Sequence, residues 1–149
     1  MKSLLFVILT LFTDLLLAQE SGLNGQPMRF CAVDIYLDSA AAPVAAYQVE
    51  FSVTNGVGKI VGIEGGEHQA FRAAPHYDPK AIQNERAIIA AFSLLPANAL
   101  PTGRTRVATV HLMITGNTEP QLEVRVQVAA DTQGNKITAV ATLEKKETK

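Results

Sequence analysis

The sequence predicts an all-β fold, an antiparallel sandwich, on three observations. From Met28 onward apolar residues recur with a period of two rather than at helical spacing; the β-rich runs are short and separated by Gly, Pro, Asn and Asp; and no amphipathic stretch is long enough for a useful helix. At 149 residues the chain has room for one domain with a hydrophobic core, since roughly 100 to 150 residues is the commonest domain size.

The N-terminal residues are a separate object. Lys2 gives a positive n-region, Leu4 to Phe12 an apolar h-region, and Ala18 a small residue suited to the position before cleavage. Residues 1–18 therefore read as a signal peptide and 19–27 as a flexible linker. The apolar run falls short of the about 20 residues that span a bilayer, and Asp14 interrupts it, so an uncleaved anchor is the weaker reading. No Cys follows the run closely, so the attachment signal of a lipoprotein is missing.

The first strand, Phe30 to Leu37, places Cys31, Val33, Ile35 and Leu37 on one face. Cys31 is the single cysteine: it cannot form an internal disulfide, and its place in the alternation makes it a small buried core residue. Ala45 to Thr54 sends Tyr47, Val49, Phe51 and Val53 inward and Gln48, Glu50, Ser52 and Thr54 outward. Asn55-Gly56 then predicts a two-residue hairpin, with Gly58 to Ile63 returning as a strand. From Glu64 to Glu85 the chain is irregular, opened by Gly65-Gly66. Within it Asp78 is placed to cap one helical turn that starts at Pro79. Loops of this length tend to be functional.

Ala87 to Phe92 is apolar on both faces and reads as a central strand covered on each side. Pro96 ends it, and Pro101-Thr102-Gly103 is a turn. Arg106 to Thr115 turns Ala108, Val110, Leu112 and Ile114 inward, with Thr109, His111 and Met113 on the other face. Leu122 to Val128 repeats the alternation; Asp131 to Asn135 forms a hairpin turn; Ile137 to Leu143 is the closing strand, and 144–149 is a charged, disordered tail. A sandwich or a barrel accommodates such a series.

Taken in order, several segments resemble a cohesin-type domain, a jelly-roll sandwich related in fold to certain carbohydrate-binding modules. Val33-Asp34-Ile35-Tyr36-Leu37 resembles its opening strand, and Val44 to Phe51 the next, with its small-residue lead-in. Ala87 to Ser93 looks like the family's central strand, Arg106 to Leu112 the strand after its Gly-containing turn, and Val124 to Ile137 the late hairpin. The resemblance covers residues 28–143 and implies an antiparallel jelly roll of roughly eight to nine strands. Three departures stand out: a Tyr-Asp-Pro after the second strand is missing, Tyr77-Asp78-Pro79 lying too far downstream; Glu64 to Glu85 looks like an insertion; and the domain stands alone, whereas cohesins recur along a scaffold. No dockerin-contact residue is carried over.

The formal net charge of -1, without a dense Lys/Arg cluster, removes the electrostatic footprint of nucleic-acid binding. Glu64, Glu67, His68, His76, Tyr77 and Asp78 are the weak candidates for ligand binding. His and carboxylate side chains can hold a divalent cation, but this spacing matches no metal motif, and solvated loops look the same. Asp131 to Asn135 lacks the acidic positions of a calcium loop. Ser52 and Ser93 have no nucleophile elbow around them, and His111 on a strand needs no role beyond solvation. No catalytic residue, metal or cofactor is assigned.

The leading expectation is a secreted or periplasmic recognition module, not an enzyme, that mediates protein-protein assembly through a sheet face or the Glu64 to Glu85 loop, with no membrane span after signal cleavage. A carbohydrate-binding module recognising polysaccharide is the alternative. With no Trp and only Tyr36, Tyr47 and Tyr77 as tyrosines, its best exposed ring would be Tyr77. A small hydrolase using Glu64 and Glu85 ranks last.

Overall fold

A computed structural model describes residues 25–146, so the signal peptide read over 1–18 and most of the linker lie outside the described residues. The described residues form seven strands, fewer than the sequence implies: β1 (Met28–Asp38), β2 (Ala46–Asn55), β3 (Gly58–Gly65), β4 (Arg86–Phe92), β5 (Arg104–Thr115), β6 (Gln121–Ala130) and β7 (Val140–Lys145). They pair antiparallel in a four-stranded sheet, β3-β5-β1-β7, and a three-stranded sheet, β4-β2-β6. The expected β-sandwich is present.

The period-two pattern builds the core. Val33, Ile35 and Leu37 of β1 and Val107, Ala108, Val110, Leu112 and Ile114 of β5 are buried against Tyr47, Val49 and Phe51 of β2 and Ile89 of β4. Cys31 packs on the edge of this core but is only half-buried, because it lies nearer the open end of β1.

Three sequence readings are corrected. Asn55-Gly56 makes a turn, with Gly56 at φ +84°, but β2 and β3 belong to different sheets. It is therefore an arch across the sandwich and not a hairpin; positive φ fixes the sharpness of a turn without fixing which sheet the chain enters next. The Ala87 to Phe92 run is an edge strand, with Ile88 and Phe92 exposed, instead of a covered central one. The closing strand begins at Val140 and runs to Lys145, two residues into the segment read as a tail, because Lys145 pairs with Val33. The turn at Asp131 closes locally, with Ile137 N–H donating to Ala129 C=O, before the chain crosses to the other sheet.

The segment from Glu64 to Glu85 closes one side of the sandwich. Its Phe71 enters the core, and Gln83 and Asn84 exchange backbone hydrogen bonds with Ile60 while Glu85 C=O accepts from Val53 N–H. The predicted helical turn is present as Pro79–Ala81, with Asp78 Oδ1 accepting from Lys80 N–H at 2.9 Å.

Candidate interaction surface

The outer face of the three-stranded sheet follows from the outward residues of β2 and their partners. Phe92 lies opposite Ala46, Ala90 and Val128 flank Gln48, Ile88 and Arg125 flank Glu50, and Arg86 and Glu123 flank Ser52. The face is thus graded from apolar at one end to ionic at the other.

At the apolar end Phe92 is 62% exposed, Leu94 93% and Val128 45%. A shallow hollow of about 250 Å³ opens there among Ala46, Gln48, His76, Ala90, Phe92 and Val128. Scattered exposed apolar residues are normal, but a contiguous group rimmed by polar side chains is the signature of an interaction site. His76 borders the hollow because its backbone adds a stub to the edge of β4: His76 N–H donates to Ala90 C=O at 2.7 Å, and Ala90 N–H returns a bond at 2.9 Å. Its ring lies parallel to that of Phe92, with centroids 6.2 Å apart and planes at 7°.

At the ionic end Arg86 meets Glu50 at 2.7 Å, Gln127 Nε2 donates to the same carboxylate at 2.9 Å, and Arg125 pairs with Glu123 along β6 at 2.9 Å. The hydrogen bond from Arg86 holds the Glu50 carboxyl below its ordinary value.

The opposite face of the molecule is more polar. Asp34, buried on β1, accepts from the Thr109 hydroxyl at 2.5 Å and lies 3.3 Å from Lys146 Nζ. Arg106 donates to both Thr109 Oγ1 and Gly65 C=O. His111 Nε2 lies 3.1 Å from Glu64 Oε1 but is not aligned for a hydrogen bond. Phe30, Cys31, Val61 and His111 line a groove of about 520 Å³ beside them. Partial burial raises the Cys31 thiol above its ordinary value, which disfavours the thiolate.

The six residues nominated from the sequence do not converge. Glu64 faces His111; Glu67 Oε1 accepts from Arg106 N–H; His68 Nδ1 accepts from Ala70 N–H; Asp78 caps its turn; and Tyr77 packs half-buried on the core. Only His76 reaches the apolar hollow. Among the described residues no three His, Cys, Asp or Glu side chains are grouped to hold a metal ion, and no helix is long and apolar enough to cross a membrane. Sequence reading missed Phe92, Leu94 and Val128, since apolar residues on both faces of β4 fit a covered strand as well as an exposed one.

No family model matches the sequence, and no curated protein matches it. A solved structure of a CaDoc0917–CaCohA2 complex at pH 5.5 contains a similar fold, with TM-score 0.56 and 13% identity over 74% of this chain and 82% of that chain. The fold is of the cohesin type. At that identity the likeness is one of architecture, and it extends over most of the sandwich. In this cohesin-type fold the segments that carried the resemblance form β1, β2, β4 and β5, but Ala87 to Phe92 is an edge strand and not the central strand that the resemblance implied.

Proposed function

We propose that the chain is a non-catalytic recognition module that docks a partner protein, outside the cytoplasm, on the outer face of β4-β2-β6. The observation that carries this reading is the apolar group formed by Phe92, Val128 and Ala90 beside His76, with Leu94 exposed two residues beyond Phe92. It has the composition of an interface core, an aromatic anchor with aliphatic neighbours, and the Arg86–Glu50 pair supplies a polar rim. The similar solved fold occurs in a complex of two proteins, which supports a protein partner of dockerin type over a polysaccharide. Tyr77, the ring nominated for a carbohydrate reading, is half-buried against the core.

Secretion is part of the proposal and rests on Lys2, the apolar run Leu4 to Phe12 and Ala18. N-terminal sequencing of the exported protein tests it, with Gln19 expected as the first residue.

The docking surface is tested by immobilising the protein and capturing partners from the extracytoplasmic fraction of its source. A partner retained by the wild type and by Phe30→Asp, on the opposite face, and lost with Phe92→Asp or Leu94→Asp supports the assignment. Equal retention by all variants overturns it.

A further inference from the structure

We propose that β6 is a self-complementary edge through which two copies of the chain join into one continuous antiparallel sheet. Among the described residues the sandwich is closed on one side only. There β4 is covered by the His76 bridge, and β3 by the backbone bonds of Gln83 and Asn84 and a bulge between Ile60 and Gly62. On the other side β6 and β7 end the two sheets, and their inward residues Leu122, Val124, Val126, Ala141 and Leu143 are only partly buried. The seam between them opens into a depression of about 440 Å³ lined by Val126, Ile137 and Ala139.

Native proteins protect long edge strands with Lys, Pro, bulges or a covering segment. Among the described residues nothing pairs with the outer edge of β6 from Gln121 to Val128, and that stretch contains neither Lys nor Pro. Its sequence, Gln121-Leu122-Glu123-Val124-Arg125-Val126-Gln127, reads as a chemical palindrome about Val124. In an antiparallel pair centred there, Val124 faces its own copy and Leu122 faces Val126. Glu123 faces Arg125 in both directions, and Gln121 faces Gln127.

Residues opposed in this register share a sheet face, so the apolar set stays inward and the charged set outward. The Arg125–Glu123 pair already present on each strand, at 2.9 Å, becomes one corner of a four-charge cluster around the two-fold axis. The bulge between Gln48 and Val49 in the β2–β6 register falls at Gln127, where the palindrome ends. This closed, isologous arrangement uses each edge once and does not propagate into a fibre. Phe92 lies on β4, the far edge of each sheet, and remains uncovered, while Val128 of the same apolar group lies on β6 just beyond the self-pairing stretch.

Charge reversal tests the register without touching the core, because Glu123 and Arg125 are both exposed. Sedimentation over a concentration series is expected to show a wild-type dimer in equilibrium with monomer. Glu123→Arg and Arg125→Glu each set like charges opposite one another and shift the protein to monomer, with circular dichroism unchanged. The double variant E123R/R125E restores complementarity and the dimer. Mixing the two single variants yields a one-to-one heterodimer, since both charged positions of one strand then oppose unlike charges on the other. A wild type that stays monomeric throughout, or a dimer unaffected by both reversals, overturns the proposal. Partner capture through Phe92 is read separately, so failure of one assignment leaves the other standing.

Discussion

The ring of Phe71 meets that of Tyr47 edge-on, with centroids 5.1 Å apart and planes at 82°. One side chain comes from the long segment after β3 and the other from the middle strand of the three-stranded sheet. The Tyr47 hydroxyl continues the link by donating to Val107 C=O of the opposite sheet at 3.0 Å. Burial pushes that phenol well above its ordinary value, so it remains a neutral donor. The pair therefore joins both sheets to the segment that closes their side, and the segment is a structural wall with one residue, His76, lent to the interaction face.

Phe71→Ala is expected to lower unfolding stability by about 3–5 kcal/mol, the usual range for a fully buried aromatic ring replaced by alanine. Urea unfolding of this variant beside Phe92→Ala checks the assignment. The exposed Phe92 should cost no more than about 0.5 kcal/mol while abolishing partner capture. Equal losses in the two variants would place Phe71 outside the core.

Gly65 and Gly66 give a second test of the same wall. A Cβ at Gly65 would press into the carbonyl oxygens of Arg72 and Ala73, and one at Gly66 into Arg106 C=O and the Val107 backbone. Neither glycine needs positive φ; both are required by close backbone approach. Either alanine substitution should therefore lower the thermal midpoint far more than alanine at Gly134, whose Cβ would meet nothing within 4 Å although its φ of +81° brings some strain. Similar midpoints for the three variants would show that the wall is loosely held.

Local chemistry was the part of this structure most legible in the sequence. Asp78 before Pro79, Asp131 before Gly134-Asn135, and the alternation of β2 each report what a residue does with its near neighbours, and each holds. Sheet membership is decided by distant partners, so Asn55-Gly56 could signal a turn without revealing that β3 leaves the sheet of β2. The same limit hid the interaction face. Ile88, Ala90 and Phe92 are apolar on the side away from the core, and only their position on an edge strand distinguishes an uncovered face from a buried one. The loop carboxylates and histidines attracted notice through their side-chain types, whereas Glu67, His68 and Asp78 accept hydrogen bonds from backbone N–H groups that hold the wall in place.

Asp34 shows why the strand boundary moved into the charged tail. Its buried carboxylate takes the Thr109 hydroxyl on one side and draws Lys146 Nζ to 3.3 Å on the other, while Lys146 N–H donates to Ala32 C=O. Asp34→Ala should destabilise the protein by about 1–3 kcal/mol by leaving the Thr109 hydroxyl without its acceptor. Hydrogen exchange should also quicken at Leu143 to Lys146 before any other strand. Unchanged exchange there would mean that backbone pairing alone secures the end of β7.

The acid limb of the stability curve is expected to be set in part by Asp131. Its Oδ1 accepts from the N–H groups of Gln133 and Asn135, both at 2.9 Å, and its Oδ2 from Asn135 Nδ2 at 3.1 Å. These bonds, the Asn135 side chain foremost, hold the carboxyl below its ordinary value. Glu50 beside Arg86 and Glu119 beside Lys145 and Arg29 are lowered in the same way. A carboxyl depressed in the folded state stabilises the fold fully above its unfolded value, about 4, where both states are ionised; as pH falls below that value the unfolded chain gains protons before the folded one. That contribution disappears as pH falls through the lower folded value. The thermal midpoint should therefore hold from neutral pH down to about pH 5 and decline below it. Asp131→Ala should lower the midpoint at neutral pH and make the acid decline shallower, with Glu50 and Glu119 accounting for what remains. Parallel declines in the two proteins would show that the turn carboxylate does not contribute to acid sensitivity.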